Sequence, residues 1–255
     1  MTIGLDWLPN TAFVYMLLFT RIGAILMLMP ALGEDMIPMR MRLGFALAFT
    51  LVVHPLLASA IPTMPDDLPG VVGLIFHELA IGIMLGAIAR ITVMATSMAG
   101  AIIAFQVGLS SAMAADPTQT GVQGAVFGSF LNFLGMVLIF ATDLHHMALA
   151  ATYDSYVTFP LDTPIMFNDA AQLALRTVAS AFSIGIQMAA PFIVFGLVFN
   201  LGAGILARLM PAMQVYFVLM PANIMVGLIL FALLLTMMMG WYLSAFESHL
   251  AMWRG

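Results

Sequence analysis

The adjacent pair His77-Glu78 is the first place where this sequence could do chemistry. In the pattern His-Glu-x-x-His, two imidazoles one helical turn apart hold zinc and the carboxylate acts as base. Position 81 is Ile, so the second imidazole is missing and no metal is expected there. His145 and His146 are neighbours in sequence. On a helix they point about 100° apart and cannot both ligate one ion without other donors. They read as a histidine pair at a membrane boundary. Ser110 and Ser111 have no His–Asp pairing near them, and neither a Gly-x-Ser-x-Gly elbow nor a glycine-rich phosphate loop occurs. No catalytic residue, metal or cofactor is therefore expected.

The remaining polar side chains matter through their charge. Seven basic residues, all arginine, face twelve acids, for a net charge of -5 with no basic run, which excludes nucleic acid as a partner. There is no cysteine, hence no disulfide and no thiolate chemistry. Arg21 falls in the middle of an apolar run, where insertion scales put the cost of a charge at about 2.5–3.5 kcal/mol. Arg21, Glu78, Arg90 and Arg208 are expected to be buried and paired, within the chain or with partner subunits.

The elements that must position these groups follow from composition. Of 255 residues, 63% are apolar and 7% charged, against about 45–50% and about 25% in soluble domains. With a mean hydropathy of +1.10, no sizeable water-facing domain fits. The expected fold is an all-α integral membrane protein of about six to eight apolar helices in hairpins, some broken by proline or glycine. The apolar runs cover residues 11–29, 43–60, 71–94, 94–115, 122–141, 171–200 and 222–249. Pro191 lies inside the sixth of these runs and Pro211 and Pro221 lie between the last two, so broken helices are expected in this region. The N-terminus holds Asp6 and no basic residue, so a cleaved signal peptide is not expected.

Residues 33–42 carry Arg40 and Arg42, which places that loop in the cytoplasm by the positive-inside rule. Residues 143–169 read as a polar connection with four Asp and no basic residue. If 71–94, 94–115 and 122–141 all crossed, this acidic stretch would land inside. The mild conflict points to a re-entrant or protein-buried hairpin in 94–141.

Glu78, Gly82, Gly86 and Arg90 recur every four residues and drift by only about 40° per step, so they form one stripe of small residues with a charge at each end. Such stripes let two helix backbones approach closely. Residues 106–121 are the least lipid-compatible stretch. Gln106, Gly108, Leu109, Ser110 and Ser111 lead there into Asp116-Pro117. Irregular backbone at membrane depth survives only inside protein or along a watery cavity, so the stretch is either a conduit-lining loop or an ordinary loop. The 24 methionines suit contacts that deform, and equally an irregular apolar core.

Three blocks then carry a resemblance. They are Arg21-x-Gly23 with Pro30, Gly33 and Pro38; Glu78-x-x-x-Gly82-x-x-x-Gly86 leading to Gly100, Gln106, Gly108 and Asp116-Pro117; and Arg208-x-x-Pro211 followed by Pro221. In this order the whole chain resembles the FliR/SctT family of type III secretion export-gate proteins. One departure is Gln214, where the family would have Asn; it keeps an amide donor and acceptor.

The resemblance implies a structural subunit of the flagellar export gate, assembled with FliP- and FliQ-like subunits and contacted by FlhB- and FlhA-like proteins. It implies passage of unfolded flagellar proteins and placement in the bacterial inner membrane at the flagellar basal body, with membrane lipid around it. It also implies a FliP-like part over about 1–170 joined to a FliQ-like helical hairpin over about 171–255, much of it raised out of the bilayer plane. Residues 106–121 would be the plug of the closed pore. The alternatives are an injectisome subunit of the SctT type and, from another class, a secondary transporter or channel with a site at its broken helices.

Overall fold

The computed structural model describes residues 8–34, 37–109, 125–163, 167–211 and 214–251. Among these residues the fold is all-α. In order come α1 (Leu8–Leu28), α2 (Met39–Leu57) with a 3-10 turn (Ala58–Ala60), α3 (Leu68–Gln106), α4 (Ala125–Ala141), α5 (Leu144–Thr158), α6 (Phe167–Leu209) and α7 (Val215–Ala251). Among the described residues five helices are long and apolar enough to cross a membrane, α1, α2 with its 3-10 turn, α3, α6 and α7, and α4 with α5, bent by 77° at their junction, make a sixth if the pair is one broken span. The all-helical membrane architecture expected from composition is what is observed.

Three boundaries differ from the sequence reading. Residues 71–94 and 94–115 are not two runs, because α3 continues unbroken to Gln106. The polar and small residues that suggested an interruption are absorbed by the helix. Thr96 returns its hydroxyl to the Val93 carbonyl (2.7 Å), and Gly100 meets the backbone of Gly128.

The polar connection 143–169 contains a helix, α5. Its Thr152 and Ser155 hydroxyls donate to the Ala148 and Thr152 carbonyls at 2.9 and 2.7 Å, so their polarity is spent inside the helix. Pro191 and Pro221 lie within α6 and α7, where each removes one N–H without ending the helix. Pro211 alone of the three falls at a break, between Leu209 and Val215.

The chain divides into two compact units that share helices. The first comprises Met1–Ile91, Ile139–Thr177 and Phe246–Gly255. Its hub is α1, whose Leu17, Leu18, Ile22 and Ile25 are fully buried. The second comprises Thr92–Leu138 and Val178–Ala245. Phe231 is its centre, edge-on to Phe127 at 4.8 Å and tilted against Phe192 at 6.2 Å, geometries that aromatic quadrupoles favour.

Methionine serves both surfaces and core. Met29, Met188 and Met238 are fully buried, whereas Met39, Met41, Met94 and Met225 are among the most exposed apolar side chains.

Candidate functional site

In the first unit the four-residue stripe of α3 is the seam against α1. A Cβ placed on Gly82 would lie 2.7 Å from Ala24 Cβ and 2.8 Å from the Arg21 carbonyl oxygen, and one on Gly86 would lie 2.7 Å from Leu28 Cβ. Arg21, Ala24 and Leu28 thus step along Glu78, Gly82 and Gly86 in the same direction, so α1 and this part of α3 run parallel. The two glycines are required because α1 occupies the space a side chain would need.

Arg21 and Glu78 close one end of that seam, both with fully buried side chains. Arg21 Nε donates to Glu78 Oε2 (2.9 Å) and Nη2 to Oε1 (2.5 Å), a bidentate pair. Nη1 donates to the Ser155 and Phe159 carbonyls at 3.0 and 2.9 Å. These carbonyls belong to the C-terminal turn of α5, where a helix leaves acceptors unpaired and its dipole is negative. No basic residue stands in the last turn of α5 itself, so the charge that stabilises this end comes from α1. The guanidinium carbon also lies 4.2 Å from the centre of the Tyr156 ring, and the Tyr156 hydroxyl donates to the Leu18 carbonyl at 3.3 Å. A single arginine therefore ties α1, α3 and α5 together.

Arg90, at the other end of the stripe, donates to Glu34 Oε1 at 2.5 Å. It is 38% exposed. Ala31, with φ +71, and Gly33 turn the chain after α1 and deliver Glu34 to it. Glu34 escaped the sequence reading as a partner because its pairing depends on that turn. Arg208 is exposed in the last turn of α6, with no ion pair among the described residues. Pro211 and Pro221 are exposed as well.

Of the stretch 106–121, the structure describes Gln106, Val107, Gly108 and Leu109; Ser110, Ser111, Asp116 and Pro117 lie outside the described residues. This end of α3 belongs to the second unit. Gln106 packs its amide onto α6 at Gly196, and Val107 fills the space over Gly227 of α7. Gly108 leaves the helix with φ +79, a conformation glycine adopts freely. Its open side faces Asn223 Nδ2, which a Cβ there would approach to 2.8 Å. Asn200 and Asn223 were missed, although a polar residue in an apolar run is a signal that could have found them.

Elsewhere in the first unit, His77 Nε2 donates to the Thr163 carbonyl at 3.1 Å. Asp143, His145 and His146 bring three ligand-capable atoms within 4.8 Å of one another. Asp143 is a third donor that the two adjacent histidines do not reveal by themselves. At 71% and 79% exposure for His146 and Asp143, the group is a solvated surface cluster.

Exposed apolar side chains run almost the whole length of α6, from Leu175 to Leu209, whereas on α3 they run from Leu68 to Ile83 with Met94 and Phe105 standing apart beyond. At about 1.5 Å per residue the α6 run spans roughly 51 Å, against a hydrocarbon core of about 30 Å. Even at the steepest usual tilt, about 40°, it still projects roughly 40 Å along the membrane normal. Lipid tails cannot cover all of that surface.

The family described as bacterial export proteins, family 1, matches residues 12–249. A flagellar biosynthetic protein FliR from Caulobacter vibrioides is 45% identical over 224 residues, 88% of this chain and 89% of the relative. The protein of that name from Bacillus subtilis is 30% identical over 85% of this chain and 83% of its own length. The one from Escherichia coli is 29% identical over 96% and 90%.

Proposed function

The chain belongs to family 1 of the bacterial export proteins, and from that premise we propose that it is a structural, pore-forming subunit of the flagellar type III protein export gate. It is a membrane-embedded component of the flagellar export apparatus, in keeping with its relatives and its apolar helices. The finer reading is that it passes unfolded flagellar proteins outward, carries out no catalysis, and sits in the bacterial inner membrane at the base of the flagellum.

The observation that supports it is the apolar surface too long for lipid. A helix such as α6, which projects roughly 40 Å of exposed apolar side chains, needs protein neighbours beyond the bilayer. The proposed neighbours are FliP- and FliQ-like subunits around one pore, with FlhB- and FlhA-like proteins against it. The chain itself is proposed to combine a FliP-like part, about 1–170, with a FliQ-like part, about 171–255. Residues 106–121 are proposed to plug the closed pore, hinged at Gly108.

Native mass spectrometry of the tagged chain, purified in mild detergent from cells carrying its genomic neighbours, tests this. One copy of this chain with several copies of two smaller membrane proteins is the expected result. A monomer or homodimer alone would overturn the gate reading in favour of a transporter.

A further inference from the structure

In the second unit, three carboxamides from three helices converge on one cavity of about 400 Å³: Gln106 at the end of α3, Asn200 on α6 and Asn223 on α7. Phe105, Phe199 and Phe217 supply aromatic walls, and none of its described lining residues is charged. Asn223 Oδ1 is buried and has no hydrogen-bond partner among the described residues, a condition that costs about 1–3 kcal/mol in a protein interior. Its Nδ2 faces Gly108.

We propose that this cavity is a contact site for the main chain of an extended polypeptide. The inference rests on the reading of the chain as a protein-export subunit and assigns a site to that traffic. A carboxamide offers an N–H₂ donor and a C=O acceptor, the same pair that each peptide group presents, so Asn and Gln bind backbone whatever the side chains are. Asn223 Oδ1 is shielded from solvent, so the side chain turns toward the cavity to accept a main-chain N–H. With no charge among the described lining residues, acidic and basic segments are equally acceptable, and the phenylalanines accept apolar side chains of varied shape. The volume lies at the small end of ligand pockets, about 300–1,000 Å³, which limits contact to a short stretch of chain.

The test uses the full chain in the assembled export apparatus, with a photo-crosslinking p-benzoylphenylalanine at Phe199. Two export substrates of opposite net charge are each fused to a stably folded domain that stalls them in transit. A control probe replaces Leu51, exposed on α2 in the other unit. Both substrates should crosslink at position 199. Asn223→Leu should lower that yield about fivefold, as loss of one hydrogen bond does, whereas Asn223→Asp keeps an acceptor and should retain most of it, with recovery of the complex unchanged in both. Crosslinks from position 199 only to other apparatus subunits, or equal yields in wild type and Asn223→Leu, would overturn the site while leaving the export reading intact. A chain that does not co-purify with any apparatus subunit would overturn both.

Discussion

Arg21 grips both carboxylate oxygens of Glu78 across 57 positions of sequence, and neither side chain reaches solvent. A buried pair of this kind adds little stability over well-packed apolar residues, but removal of one partner strands a charge. The pair therefore acts as a register pin for three helices.

Arg21→Ala is expected to cost about 3–5 kcal/mol, because Glu78 is left buried without a counter-charge. The Phe159 carbonyl loses its Arg21 donor at the same time, and the Ser155 carbonyl is left with the Phe159 N–H alone. The loss should appear as a lower yield of assembled complex after detergent extraction. Arg21→Met combined with Glu78→Leu should recover part of it. Full complex yield with blocked export would contradict a purely structural role for the pair.

The partly exposed Arg90–Glu34 pair predicts a different scale. Its exposure allows water and salt to screen it, so Arg90→Ala should cost about 1 kcal/mol or less. A thermal-melt series of the two arginine variants checks the ranking. An Arg90→Ala loss as large as that of Arg21→Ala would refute it.

Two glycines of α3 should respond in opposite senses to the same substitution. Gly82→Ala pushes a Cβ into Ala24 and the Arg21 carbonyl, and overpacking of this kind costs about 1–3 kcal/mol. Gly73 has no atom within 4 Å of the added Cβ, so Gly73→Ala should stabilise α3 by up to about 1 kcal/mol. Melting temperatures of the purified chain should fall for the first and hold or rise for the second.

The proposed plug makes its own prediction. Deletion of Ser110 to Ala115 shortens the segment beyond the Gly108 hinge, and ion leak across the membrane should rise while the complex still assembles. Conductance in cells or planar bilayers is the readout. Unchanged leak with intact assembly would remove the plug from the mechanism.

Class was legible in the sequence, because it is a sum over composition. So few charges in 255 apolar-rich residues admit a membrane fold and little else, and the missing second imidazole at position 81 disposes of the zinc motif without coordinates. The stripe Glu78, Gly82, Gly86, Arg90 was legible as a close-packing face because helical periodicity alone puts those residues together.

What that face packs against was decided only in three dimensions. Arg21 and Glu34 approach the ends of the stripe from 57 and 56 positions away, and no local rule encodes such a separation. Helix boundaries were likewise tertiary decisions. Gly100, Thr96, Thr152 and Ser155 resemble interruptions when taken singly, yet each is satisfied by a neighbouring backbone or a carbonyl of its own helix. Local propensity is worth tenths of a kcal/mol per residue, and packing and hydrogen bonding at these sites outweigh it. The carboxamide cavity belongs to the same class: Gln106, Asn200 and Asn223 become neighbours only when α3, α6 and α7 meet.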